Sequence, residues 1–337
     1  MSLKQTVLKL AHSSGLSSLA RRATAKQLRI LCYHGLWITP GFEFGQCTFI
    51  SPEQFESRMA RLKRSGLPVL PFDEAVDRLQ DGTLPDAAVA ITIDDGWLST
   101  YTHMLPVLER YQLPATLYAT TWYSGKDLPV INVAVEYFAA ASGRPKAVAA
   151  EQIARIEALP IGERLGALRS LGSEFGIDEA WLELKQFHVM SPEQFVEARA
   201  RGLDVQLHTH RHINVTTQID ALMHEVAENR RFLAAALGDV PLAHFCYPSG
   251  TYHPDAPSLL AACGIRSATL VEPGLNPPGS DPYALRRLLD GRNVTDAEFD
   301  AYLSGLLSCA EPLRALIPGG RRSYGHEPST EMSIAAE

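Results

Sequence analysis

The sequence predicts an α/β protein with a mainly parallel sheet and helices outside it. Three observations carry this. Short β-branched runs alternate with helical stretches along most of the chain. Several runs end on residues able to do chemistry: His34, Asp94-Asp95 and Thr120-Thr121. Parallel α/β folds gather their sites at such strand ends. The clearest run, 89–93, is apolar throughout and stops at Asp94-Asp95-Gly96. It reads as a buried strand with two carboxylates at its mouth. Two buried acids are costly unless something positive sits beside them, and a metal ion would supply that charge.

The elements follow in order. Residues 27–33 form the first strand, ended by His34-Gly35. Ser51-Pro52-Glu53-Gln54 opens a helix, with Ser51 as N-cap and Pro52 in the first turn. It turns Phe55, Met59 and Leu62 inward and stops near Gly66. Residues 69–70 predict a short strand, 72–79 a helix, and 82–85 a turn before the Asp94-Asp95 strand. Residues 98–111 predict a helix kinked at Pro106, and 115–120 the next strand.

Residues 126–190 are rich in Ala, Leu and Glu and poor in β-branched residues. They predict three or four helices inserted between two strands, as a lid or side wall without chemistry of its own. A second Ser-Pro-Glu-Gln, at 191–194, opens another helix, and 204–207 is a strand followed by His208. Helices are expected at 221–237, 257–262 and 296–307, and strands at 242–247, 267–270 and 286–289. Three parts are expected: a basic lead-in (1–27), one domain with the helical insertion (28–317) and a disordered tail (318–337).

Composition narrows the function. The chain has 337 residues, 46% of them hydrophobic and 20% charged, as an ordinary globular protein has. A net charge of -7 argues against a nucleic-acid partner, which wants a basic surface. No apolar run approaches the ~20 residues of a membrane span. The five cysteines (Cys32, Cys47, Cys246, Cys263 and Cys309) are scattered and lack CxxC spacing, so reduced thiols and a cytoplasmic location are expected. Residues 1–29 carry Lys4, Lys9, Arg21, Arg22, Lys26 and Arg29 and no acid. That stretch reads as a solvated lead-in or as a basic segment touching the inner face of a membrane.

His208-Thr209-His210-Arg211-His212 follows a strand. On a helical turn, residues four apart put both imidazoles on one side. Two imidazoles and a carboxylate suit zinc, with a position left for water. The competing reading is a pair of surface histidines capping a turn.

Thr92-Ile93-Asp94-Asp95-Gly96, His208-Thr209-x-x-His212 and Phe245-Cys246-Tyr247-Pro248-Ser249-Gly250-Thr251-Tyr252 together resemble the polysaccharide deacetylases, over roughly residues 28–290 without the insertion. The resemblance implies a distorted (β/α)7–8 barrel and a divalent metal, usually Zn2+, with Co2+, Ni2+ or Mn2+ as alternatives. It implies hydrolysis of an N-acetyl, sometimes O-acetyl, group on a sugar. Carried over, Asp95, His208 and His212 would hold the metal and Asp94 would be the general base. The Ser249 N–H would stabilise the oxyanion, and Thr209 would hydrogen-bond within the metal loop.

The chain departs from the family twice. After Arg287 the only histidine is His326, so the usual C-terminal proton donor is missing. The poly-N-acetylglucosamine deacetylase branch is similar in carrying Tyr-His after its first strand, which makes His34 the expected general acid; a plain hydrogen bond at the barrel rim is the alternative. Cys246 stands where the family often has an arginine orienting the base, and Arg287, or else Arg286, would take that role from the next strand. Tyr247, Pro248, Gly250, Tyr252 and Trp97 are expected around the sugar, although aromatics near strand ends are more often core. His210, His244, His253 and His103 read as structural.

The expected function is therefore metal-dependent deacetylation of a glycan or lipid-linked sugar. Two alternatives are a deformylase or amidase on a lipid-linked amino sugar or cyclic amide, and an inactive glycan-binding barrel. The complete set Asp94, Asp95, His208 and His212 argues against the last.

Overall fold

The computed structural model describes residues 6, 8, 10, 14–39 and 48–309. The expected tail at 318–337, His326 and Cys47 lie outside them. Helix α1 (Leu16–Ala23) leads into β1 (Arg29–Tyr33). Then come α2 (Pro52–Arg64), α3 (Phe72–Gln80), β2 (Val89–Asp95), α4 (Leu105–Tyr111) and β3 (Ala115–Ala119). Four helices follow: α5 (Ile131–Ala141), α6 (Lys146–Glu157), α7 (Ile161–Glu174) and α8 (Ala180–Glu183). The chain continues with α9 (Pro192–Ala200), β4 (Leu203–Leu207), α10 (Leu222–Leu237), β5 (His244–Cys246), α11 (Ala256–Ala262), β6 (Ser267–Thr269), β7 (Leu288–Leu289) and α12 (Asp296–Leu303).

The seven strands pair in parallel in the order β6-β5-β4-β3-β2-β1-β7 and curl into a half-barrel. The arrangement is a seven-stranded parallel (β/α) half-barrel, within the (β/α)7–8 range expected above. Strand alternation sorts β2 into two faces. Val89, Ile91 and Ile93 pack outward with Phe55, Met59, Leu105 and Leu108 of the helices. Ala90 packs inward with Ile30, Tyr118 and Cys246. Thr92 and Asp94 follow Ala90 at two-residue steps, so β2 delivers one carboxylate into the barrel mouth.

The segment before β7 crosses between the two sheet edges. Leu285 bridges to Thr269 beside β6, and three residues later Leu288 pairs with Leu31 of β1. Arg287 is thereby carried across the barrel interior. Around the insertion, Trp97 bridges antiparallel to Val189, and Met190 N–H donates to the Gly96 carbonyl at 2.8 Å. Helices α5–α8 have their own apolar cluster, including Phe138, Leu168, Trp181 and Phe187.

Several expectations are corrected. Residues 69–70 make only a bridge, Val69 to Val89. The helix after β2 is not kinked by Pro106, because a π-helical turn, Thr100–Met104, precedes α4 and places that proline in the first turn. The last expected helix breaks after Leu303, since Gly305 has φ 76° and a Cβ there would collide with Thr24, and helix resumes over 306–309.

Candidate metal centre and active site

Asp95 ends β2 and His208 follows β4, so both stand at the same end of the sheet. Asp95 Oδ1 lies 3.3 Å from His208 Nε2 and 3.5 Å from His212 Nε2. The two histidines do not share a helical turn, as their spacing suggested. Residues 208–212 are a loop in which Thr209 and His212 adopt positive φ, 62° and 56°. Those reversals bring the rings together, with centroids 4.9 Å apart and edge to face. Asp95 itself has φ 74° and Ser249 φ 57°. Left-handed backbone at four non-glycine residues costs ~1 kcal/mol or more at each, and such strain clusters at functional sites.

The donor set fits a divalent cation. One ligand atom each from Asp95, His208 and His212 converge within 4.8 Å. His208 Nδ1 lies 2.8 Å from the Cys246 carbonyl, which can only accept. Nδ1 therefore carries a proton, and Nε2 faces the cluster, where it donates to Asp95 and would be the ligand atom for a cation. Trp97 Nε1–H donates to Asp95 Oδ2 at 2.8 Å and orients the carboxylate. Burial opposes charge on Asp95, but the hydrogen bond with His208, together with His34 and His212, holds it well below the usual carboxylate range. Burial and the neighbouring His208 bring His212 down to about 4, so its imidazole is neutral, as a metal ligand must be.

Asp94 stands beside this cluster with different partners. Arg287, fully buried, donates Nη1 to Asp94 Oδ1 and Nη2 to Oδ2, both at 2.7 Å. The Cys246 and Cys32 thiols also donate to Oδ2, at 3.4 and 3.5 Å. Burial would raise the Asp94 pKa, but the charge and hydrogen bonds of Arg287 outweigh it and hold Asp94 at about 2. Arg287 is fixed in turn by donating Nε to the Leu270 carbonyl at 2.7 Å. Arg286 points elsewhere and pairs with Glu272 at 2.6 Å.

His34 Nε2 lies 3.8 Å from Asp94 Oδ2, and its Nδ1 is buried without a partner among the described residues. Burial lowers its pKa, while Asp95 and Asp94 raise it. After β5, Pro248-Ser249-Gly250 form a 3-10 turn. Gly250 and Thr251 donate their N–H groups to the Tyr247 and Pro248 carbonyls at 2.9 and 3.0 Å, which leaves the Ser249 N–H as the turn's candidate outward donor. Gly250 admits no side chain, since a Cβ would sit 2.8 Å from Val271.

The model of the family described as polysaccharide deacetylase matches residues 81–268, more than half of the chain. The chain belongs to this family. One relative, YxkH of Bacillus subtilis (strain 168), which is named after the polysaccharide deacetylases, is 20% identical over 281 residues, covering 83% of this chain and 77% of that protein. IcaB from Ammonifex degensii superposes with a TM-score of 0.58 at 22% identity, over 82% of this chain and 97% of IcaB. The Streptococcus pyogenes deacetylase PplD, in complex with acetate, gives 0.57 at 17% identity, over 85% and 98%.

Several residues expected around the sugar are buried, and of these Trp97 belongs to the cluster through its bond to Asp95. Trp97 is buried with its ring against Phe49, and Tyr247 is 0% exposed between Phe245 and Tyr252. Both are packing residues rather than an exposed sugar wall, as is Pro248, which is buried. Tyr252, 38% exposed, is the aromatic of that group open to solvent. The Thr209 hydroxyl has no hydrogen-bond partner among the described residues, contrary to its expected bond within the loop. His210 turns away to Thr121 Oγ1 at 2.8 Å, and His244 lies between Ser267 and Asp73. Asn229 went unnoticed in the sequence. Its Oδ1 accepts from His208 N–H at 2.9 Å, and its Nδ2 donates to Ala119 O and Thr121 Oγ1 at 3.0 Å. The signal was there, because Leu222, Glu225, Val226, Asn229 and Leu233 form one buried stripe on α10, and Glu225 and Asn229 are its two polar members.

Proposed function

We propose that this chain is a metal-dependent hydrolase that removes an N-acetyl group from a sugar in a polysaccharide or glycan precursor. One observation carries the reading: a three-ligand Asp-His-His cluster stands directly beside a second, ionised carboxylate that Arg287 clamps. When bound, a divalent cation such as zinc supplies Lewis acidity toward the amide carbonyl and acidifies water. The residues of the chain do the rest. Asp94, held ionised by Arg287, takes the proton of the attacking water. The Ser249 N–H donates to the oxyanion as the carbonyl carbon becomes tetrahedral. His34, whose Nε2 lies 3.8 Å from Asp94 Oδ2, returns a proton to the departing amine. The Cys246 carbonyl, Asn229 and Trp97 position the ligands.

Acetate release from a panel of N-acetylated glycans and lipid-linked sugars tests the reading. Poly-N-acetylglucosamine is the first substrate to try, in view of the Tyr33-His34 pair. Release should stop with a chelator and return with Zn2+, Co2+, Ni2+ or Mn2+. A protein that binds no divalent metal and releases no acetate from any member is not a deacetylase. Release of formate in place of acetate would move the assignment to the deformylase alternative.

A further inference from the structure

The strand-start end of the barrel, opposite the catalytic cluster, carries a helix whose polarity is inverted. Helix α1 turns Ser17 and Ala20 toward the protein and shows Leu16 and Leu19 to solvent, 49% and 60% exposed. Leu10, just before it, is 62% exposed. A surface helix on a water-facing protein does the reverse. The orientation is fixed, because fully buried Arg29 donates Nη2 to Thr24 Oγ1, at the end of α1, and Nε to the Leu303 carbonyl of α12, both at 2.7 Å.

Beside α1 lies a cavity of about 350 Å³, walled by α1 and the ends of α2 and α12. Arg21, Arg61 and Arg64 line it with Ser17. Ser17, 8% exposed, has a buried hydroxyl without a partner among the described residues, and so has Arg61 Nε. Arg61 is already paired, donating Nη1 to Asp300, the one acid among the lining residues, at 3.0 Å and Nη2 to Asp296. Buried donors and two further guanidiniums around one opening suit a phosphate.

We propose that this face docks on an anionic phospholipid bilayer, with Leu16 and Leu19 entering the interface and the cavity taking a lipid phosphate. Charge complementarity favours the bilayer. Arg21 and Arg22 of α1 are exposed, and residues 1–29 contain no acid in a chain whose net charge is -7, so an anionic surface attracts this end more than the rest. The docking has a consequence for the substrate, which rests on the deacetylase reading. The α1–β1 turn meets the chain just before β2, where Ala87 N–H donates to the Ala25 carbonyl, while Asp95 ends β2. A seven-residue strand spans about 20 Å. The catalytic end thus faces away from the bilayer, toward a glycan chain standing clear of the surface and not toward a sugar at the headgroups of the docked leaflet.

Co-sedimentation of the full chain with phosphatidylcholine vesicles, with or without phosphatidylglycerol, tests the docking. Binding is expected only with phosphatidylglycerol and should weaken in high salt. Arg21→Glu with Arg64→Glu should weaken it by roughly tenfold or more, and Leu16→Ser with Leu19→Ser by a similar factor. Acetate release from a soluble oligosaccharide should be unchanged in both variants, which also shows that they fold. No binding to phosphatidylglycerol vesicles, or equal binding by either double variant, overturns the proposal. So does calorimetric binding of inorganic phosphate without vesicle binding, which would make the cavity a free-anion site. Loss of acetate release with vesicle binding intact would count against the deacetylase reading alone.

Discussion

Two buried arginine–aspartate pairs lie on either side of β1, and they have opposite consequences. At the site, Arg287 grips both oxygens of Asp94 at 2.7 Å, and Asp94 stays ionised with a pKa of about 2. At the seam between α2 and α12, Arg58 reaches Asp290 through Nε alone, at 2.9 Å. Its other nitrogens go to Asp296 and the Val294 carbonyl. Asp290 also accepts the Gly291 N–H at 2.9 Å, yet burial prevails over these contacts and pushes Asp290 up to about 6. Burial alone makes neither a base nor a neutral acid. The outcome depends on how many charge-assisted hydrogen bonds the partner commits.

The comparison can be broken most directly at the two arginines. Arg287→Ala leaves Asp94 buried without its cation and should cost about 3–5 kcal/mol of stability by denaturant melts. It should also lower kcat by roughly 10²-fold or more, because the base loses its orientation and its ionisation. Arg58→Ala should cost a similar ~3–5 kcal/mol yet leave turnover per folded molecule within about threefold. Equal losses of turnover would show that the seam pair is not merely structural.

The aspartates come next. Asp94→Asn should keep metal stoichiometry, read by atomic absorption, and lose about 10²–10⁴ in kcat. Asp95→Ala should lose metal and turnover together. His34→Ala should keep the metal and slow turnover within the same range of about 10²–10⁴ if it is the proton donor. Unchanged turnover would place the acid elsewhere.

The smallest effect is the pH dependence of stability. Asp94 has a folded pKa below the ordinary ~3.9, so its contribution is present above pH ~4 and is lost as pH falls toward 2. Asp290 has a folded pKa above that value, so folding takes up a proton, and stability falls as pH rises from about 4 through 6. The loss is at most about 2–3 kcal/mol. Asp290→Asn should flatten that segment of a melting-temperature profile and leave the acid limb below pH 4 in place.

Much of this was legible along the chain. The apolar run into Asp94-Asp95, the histidines four apart and the Pro-Ser-Gly turn are local patterns; they pointed to one carboxylate and two imidazoles as candidate metal ligands, and the family resemblance singled out Asp95 over Asp94. Arg287 was harder, because Arg286 is chemically identical and adjacent. Only the crossing of 285–288 between the sheet edges decides which one enters the barrel. Trp97 and Tyr247 looked like a sugar wall because aromatics beside a site are compatible with wall or core, and burial alone tells them apart. Asn229 was visible only as one of two polar residues, with Glu225, in a buried stripe, with nothing local to say that the His208 backbone would meet it.

By itself, then, the sequence determined the alternation of strands and helices, the strand-end position of Asp94, Asp95 and His208, and the kind of ion their donors suit. Each of these depends on side-chain period and chemistry within a few residues. The tertiary structure decided which arginine clamps Asp94, that a loop with two left-handed residues rather than a helical turn joins His208 to His212, and that α1 faces its leucines outward. Those depend on sheet curvature and on contacts between segments far apart in the chain, which no local pattern encodes.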